Sequence, residues 1–246
     1  MNRRVFLSSL VLTPLLFGNR LDFPKDVFLT EKEFSVLLSL NSRLKRVKHY
    51  VGYGNFNIIS FSHTLFYARN YPKIGAFTQD ELLLLERLFY ENPQKYGFYG
   101  RETCQNLNNK ILKQDVVKIP HTGHYLFKGK SQEDYVNVLS DVGENIILTS
   151  GVRNVMKQLS LYTNKIQRTG GNMTLATKSI APPAYSYHTI SDFDVGKIGW
   201  GHKNFTAEFA STQEFKKMKQ LDYIGMRYKK NNRYGVRFEP WHVEVI

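Results

Sequence analysis

The last ten residues, Arg237-Phe238-Glu239-Pro240-Trp241-His242-Val243-Glu244-Val245-Ile246, set a glutamate and a histidine three positions apart with a proline and a tryptophan between them. Proline fixes φ and removes a backbone donor, so this stretch reads as a strand end or a tight turn that holds Glu239 and His242 toward one point. A second stretch, Ser186-Tyr187-His188-Thr189-Ile190-Ser191-Asp192-Phe193-Asp194-Val195-Gly196, adds a histidine and two aspartates. Two imidazoles and one carboxylate make the ligand set of a catalytic zinc site, with a fourth position left for water. Bound zinc lowers the pKa of that water toward ~7. Glu239 then reads as the general base that takes a proton and passes it to a leaving amine. A cation is still needed for a developing oxyanion or a substrate carboxylate, and the planar fork of Arg153 suits either task. Asp192 and Asp194 both lie an even number of residues from His188, so strand alternation leaves both open as the carboxylate ligand. His121, His124 and His202 also stay open as ligands, whereas His49 and His63 read as ordinary surface or core residues.

The elements that must position these groups fall into two textures. Thr30-Glu31-Lys32-Glu33 and Thr78-Gln79-Asp80-Glu81 are capping boxes that open helices. The first continues through Phe34, Leu37, Leu38, Leu44 and Val47 on one stripe, the second through the apolar run Leu82 to Tyr90, stopped by Asn92-Pro93. Phe56 to Tyr67 is apolar and fits a strand or a buried helix. From about residue 115 short strands are expected: Val116 to Ile119, Gly123 to Phe127, Asn145 to Thr149, Phe193 to Val195 and Val243 to Ile246. Between them, Ser131 as N-cap starts a helix to Leu139, Val152 to Tyr162 reads as helical, and a third capping box at Ser211-Thr212-Gln213-Glu214 opens a helix through Leu221. Tyr223 to Tyr228 and Val236 to Phe238 are expected to form a hairpin around Lys230 to Gly235.

Composition bounds the class. With 42% hydrophobic and 14% aromatic residues, the 246-residue chain is globular rather than disordered. Its net charge of +13 and pI of about 9.7 favour polyanionic partners such as nucleic acid, anionic lipid or cell-wall polymer. No zinc-finger or helix-turn-helix pattern accompanies that charge, so nucleic acid is not the expected partner. Cys104 is the only cysteine, which rules out an internal disulfide. Asn2-Arg3-Arg4 followed by the short apolar run Val5 to Gly18 has the build of an export signal and resembles the twin-arginine type. The expected organisation is therefore an export signal over residues 1–22, a mostly helical region over 23–114 and a catalytic domain over 115–246. The chain is expected in the periplasm or cell envelope, with no stable membrane span once the signal is removed.

Three ordered motifs carry a family resemblance. Ser150-Gly151-Val152-Arg153 with Gln158, then Ser186-Tyr187-His188 through Asp194-Val195-Gly196, then Glu239-Pro240-Trp241-His242 resemble successive motifs of the zinc D-alanyl-D-alanine carboxypeptidases and dipeptidases of bacterial wall remodelling and vancomycin resistance. Gly225-Met226-Arg227-Tyr228 is similar to the strand that precedes the family's last motif. The resemblance implies an α+β fold of the D-Ala-D-Ala peptidase/hedgehog-like kind, a small antiparallel sheet flanked by helices. It implies one zinc ion on His188, Asp194 and His242, catalysis by Glu239 and Arg153, and substrate-binding support from Ser186 and Gln158. Val195-Gly196 after Asp194 favours Asp194 over Asp192. The implied substrate is a peptidoglycan stem peptide ending in D-Ala. Two departures stand out: Ser191 occupies the family's usual glycine position, and Asp194 follows His188 after six residues where the family has seven. They keep open a wall-binding protein without turnover, or an L,D-carboxypeptidase or endopeptidase. The chain lacks the His-x-His close of related murein endopeptidases.

Overall fold

The computed structural model describes residues 26–246, and the export signal expected over residues 1–22 lies outside them. In chain order the helices are α1 (Glu31–Val51), α2 (Phe61–Asn70), α3 (Gln79–Tyr90), α4 (Lys130–Val142), α5 (Val155–Arg168), α6 (Met173–Thr177) and α7 (Gln213–Met218). The strands are β1 (Val116–Lys118), β2 (Tyr125–Phe127), β3 (Ile146–Ser150), β4 (Phe193–Lys197), β5 (Ile224–Met226) and β6 (His242–Val245). The architecture is α+β. A small antiparallel sheet, ordered β3-β4-β6-β5, is flanked by helices, and β1 and β2 form a separate two-stranded ribbon.

The capping boxes of α1 and α3 form as their sequences require, with Thr30 and Thr78 accepting from the backbone of Glu33 and Glu81. Glu81 also reaches sideways, accepting from Ser39 Oγ at 2.7 Å and Arg43 Nε at 2.7 Å, which locks α3 against α1. Leu37, Leu40, Leu44 and Val47 then meet Val155, Met156, Leu159, Tyr162 and Ile166 of α5 in one continuous core. The helical region and the segment carrying Arg153 therefore share their apolar interior. Phe61–Asn70 resolves the ambiguous apolar stretch as helix, opened by Ser60.

A second core lies on one face of the four-stranded sheet. Ile146 and Leu148 of β3, Phe193 and Val195 of β4 and Val243 of β6 pack there with Tyr135, Val138 and Val142 of α4 and Met218 of α7. Side chains alternate across a strand, so Asp194 and His242 necessarily emerge on the opposite face. The pairing puts them directly side by side, Asp194 against His242.

Three expected details differ. The N-cap of α4 is Gly129, at φ 78°, because glycine lets the chain enter the helix earlier. The Ser131 hydroxyl instead donates to Ser191 O at 2.8 Å, bracing the loop beyond His188. Likewise α7 is capped by Thr212, whose hydroxyl accepts from Phe215 N at 3.1 Å, while Ser211 donates to Glu208 O and Glu214 pairs with Lys197. The expected hairpin between residues 223–228 and 236–238 is absent. β5 pairs with β6 instead, Gly225 opposite Glu244, and Arg237 N donates to Lys178 O. Val236 is buried against Phe98, Tyr187 and Tyr228, so burial of one side chain redirects the returning segment.

Candidate metal centre

Each proposed ligand is held by a different local device. His188 sits in a short 3-10 turn, Tyr187–Thr189, entered from a second such turn at Pro183–Tyr185. It is therefore off the strand, and strand alternation between His188 and the aspartates does not operate. Asp194 is in β4, and His242 opens β6 immediately after a tight turn in which His242 N donates to Glu239 O at 3.2 Å. Pro240 occupies the second position of that turn, where its fixed φ is pre-set.

The three side chains converge, with one ligand atom from each of His188, Asp194 and His242 lying within 4.8 Å of the others. All three residues are buried. His188 Nε2 lies 3.3 Å from Asp194 Oδ1 and has no hydrogen-bond partner, and His242 Nδ1 lies 3.0 Å from the same oxygen. The two rings meet edge to face at 5.0 Å.

The outer nitrogen of each ring is already spoken for. His188 Nδ1 donates to Gly151 O at 2.9 Å and His242 Nε2 donates to Asp192 Oδ2 at 2.9 Å. These bonds orient the rings so that the inner nitrogens face Asp194, the arrangement that ligating histidines adopt. Burial opposes protonation of His242, but hydrogen bonds to Asp192 and Asp194 raise it to about 9. Burial with Arg153 nearby pushes His188 down to about 4, so it is neutral near pH 7 and free to donate a lone pair. Burial opposes ionisation of Asp194, yet His188, Arg153 and His242 hold its carboxyl well below the usual range. Two imidazoles and one ionised carboxylate are the donor set of a catalytic zinc site, and the residues fit that ion.

Residues 130–246 match the family model of VanY D-alanyl-D-alanine carboxypeptidase. Over those residues the chain is similar to the VanY family. No curated protein matches the sequence. Among solved structures the chain is similar to the LdcB LD-carboxypeptidase, at 21% identity and a TM-score of 0.45, over 54% of this chain and 68% of that one. It is similar to the vancomycin-resistance D,D-pentapeptidase VanY in complex with Zn(II), at 18% identity and a TM-score of 0.39, over 53% and 77%. It is also similar to the D,D-dipeptidase VanXYg with a D-Ala-D-Ala phosphinate analogue, at 17% identity and a TM-score of 0.45, over 53% and 55%.

The remaining VanY-like candidates surround the ligands. The Arg153 guanidinium pairs with Asp194 Oδ2 through Nη2, and its Nε donates to Ser150 Oγ at 2.8 Å. Glu239 is buried and lines the same cleft as Arg153 and Asp194. Burial, with Asp194 nearby, pushes its carboxyl up to about 7 against the pull of His242 and Arg237. Gln158 and Ser186 line a small cavity that also touches His188, Glu239 and His242. Gln158 Nε2 donates to Ala181 O at 2.7 Å, which leaves its buried Oε1 unpaired.

Asp192, the rival ligand, stands on the far side of His242. It is gripped by Arg227, with Nε at 2.6 Å and Nη2 at 3.2 Å, and accepts from Val245 N. Arg227 in turn lies 3.6 Å above the Tyr187 ring and pairs with Glu244 at 3.0 Å. In the sequence Arg227 is legible only as part of a motif, with no role. Its signal was a single arginine between Met226 and Tyr228. Gly151 was also missed as a partner. A Cβ there would lie 2.0 Å from Tyr125 O, so only glycine lets this carbonyl approach His188. Of the alternative histidines, His121 and His202 are exposed, and His124 lines the cleft with a buried, unpaired Nδ1. None joins the three-residue cluster among the described residues.

Proposed function

We propose that this chain is an exported zinc D-alanyl-D-alanine carboxypeptidase that removes the terminal D-Ala of peptidoglycan stem peptides. The observation that carries the reading is the convergence of His188, Asp194 and His242, with both outer ring nitrogens tied off, inside the segment that matches the VanY family model. His188 Nε2, His242 Nδ1 and an Asp194 oxygen would hold the ion. Zinc bound there supplies a Lewis acid that polarises a carbonyl and acidifies water. Glu239 accepts the proton of the attacking water and returns it to the departing D-Ala nitrogen, a role suited to a carboxyl poised near neutrality. Arg153 supplies positive charge to the developing oxyanion or to the substrate carboxylate. The free Gln158 Oε1 accepts a substrate backbone N–H, and Ser186 supports the same pocket. Export by residues 1–22 is part of the proposal, since the substrate lies outside the cytoplasm. Among the described residues no helix is long and apolar enough to cross a membrane.

The test is mass spectrometry of a stem pentapeptide and of muropeptides after digestion. The expected result is chelator-sensitive loss of one D-Ala. Glu239→Gln is expected to lower kcat by about 10²–10⁴-fold, the usual contribution of a general base. Equal turnover by Glu239→Gln and wild type would sink the mechanism. Release of D-Ala only from a tetrapeptide would reassign the cut to an L,D bond.

A further inference from the structure

The cleft that contains Asp194 and Glu239 continues along α5 as a channel of about 580 Å³ with one sign of charge. Lys48, Arg153, Lys157, Lys165, Arg168 and Arg237 line it, against Asp194 and Glu239 as its only carboxylates. Those two are already engaged, Asp194 by Arg153 and Glu239 by Arg237 at 3.6 Å. Lys157, Lys165 and Arg168 fall on one face of α5, opposite the face buried against α1. Their side chains make no hydrogen bond or ion pair among the described residues. Lys157 and Lys165 are half-buried, so these cations are partly withdrawn from water without a counter-charge. His124, with its buried and unpaired Nδ1, faces the same channel.

We propose that Lys157, Lys165 and Arg168 form an anion subsite that holds the free carboxylates of an acidic peptide at a distance from its scissile bond. The proposal rests on the peptidase reading above and adds the class of substrate. The dimensions agree. Lys157 and Arg168 stand about 16 Å apart at about 1.5 Å per helical residue, the span of about five extended residues at about 3.3 Å each. Lys165 and Arg168 stand about 4.5 Å apart along the axis and Lys157 about 12 Å from Lys165, so the pair can meet one carboxylate and Lys157 another about four extended residues away. A channel of one charge with low-dielectric walls also concentrates an anionic substrate near the catalytic groups.

The experiment is fluorescence anisotropy with a labelled synthetic pentapeptide ending in D-Ala-D-Ala. It carries two free carboxylates upstream, and a control peptide has both amidated. Binding is measured to the full chain in a Glu239→Gln background, so turnover does not consume the probe and the result does not depend on activity. The carboxylated peptide is expected to bind about tenfold tighter at low salt, as two or three partly exposed ion pairs supply, with the difference shrinking as salt screens them. In Lys165→Ala/Arg168→Ala the preference is expected to fall below about twofold, with the amidated peptide's Kd unchanged and the melting temperature retained. Lys165→Glu is expected to abolish the preference. Equal binding of the two peptides, or a preference that survives both sets of substitutions, overturns the proposal. Equal binding combined with displacement of both peptides by inorganic polyphosphate overturns it in favour of a phosphate polymer.

Discussion

At the scale of single residues, the site is defined less by its ligands than by what holds them. An imidazole binds a metal well only when its other nitrogen has a fixed acceptor. Here Gly151 O serves His188 and Asp192 serves His242. Asp192 is itself ionised, since Arg227 and His242 outweigh the effect of its burial and hold its carboxyl far below the usual range. Replacing Asp192 by Asn keeps the shape but removes the charge that makes His242 a stronger donor. Zinc affinity of Asp192→Asn, measured by competition with a chelator, is expected to fall about 10–100-fold. Affinity equal to that of the unaltered chain would mean Asp192 has no hold on the metal centre.

At the scale of elements, α5 links the helical region to the chemistry. Asn154, fully buried at its N-cap, donates to Ile59 O and Asn109 O at 3.0 Å each, so the helix start beside Arg153 is pinned by loops far back in the chain. The α1–α3 contact is fastened by the Arg43–Glu81 ion pair at 2.7 Å, in which Arg43 also reaches Gly75 O at 2.7 Å. Burial pushes the Glu81 carboxyl up, but hydrogen bonds from Arg43, Ser39 and the Thr78 backbone reverse this and leave it below its ordinary value. A carboxyl lowered on folding stabilises the native state above its unfolded pKa of about 4.3 and loses that contribution as pH falls through the folded value. Thermal melting is therefore expected to drop below about pH 4.3, with a shallower acid slope in Glu81→Gln. At pH 7 that substitution is expected to cost about 3 kcal/mol, because Arg43 is left partly buried without its partner. An unchanged acid slope would show that other groups govern acid unfolding.

At the scale of the whole molecule, the VanY-like segment does not own its core. Met156, Leu159, Tyr162 and Ile166 are fully or almost fully buried, and their cover includes Leu37, Leu40, Leu44 and Leu85 from the helical region. Truncation to residues 115–246 would return that apolar face of α5 to water. At about 1.5–3 kcal/mol for each large side chain, the loss approaches the whole stability of a typical domain. The truncated chain is expected to aggregate or to lack a cooperative melting transition by calorimetry. A sharp transition with zinc bound would show instead that residues 115–246 fold alone. A role for the helical region follows from this packing: it backs the helix whose other face lines the cleft.

The sequence alone determined the donor types, the capped helices α1 and α3, the sheet segments and the turn at Glu239-Pro240, because each depends on nearest neighbours along the chain. Capping, alternation and proline geometry are local physics, and ordered motifs added the family. Tertiary structure gives Asp192 and Asp194 different places, since only the β4–β6 register shows which carboxylate faces the inner nitrogen of His242 and which takes the outer one. It also decided that β5 pairs with β6 rather than with the segment around Val236, because burial of Val236 against Phe98 is a contact between residues distant in sequence. The cationic channel on α5 was equally hidden: nothing in the sequence marks its lysines, and only the packing of the opposite face on α1 places them along the cleft that holds Asp194 and Glu239.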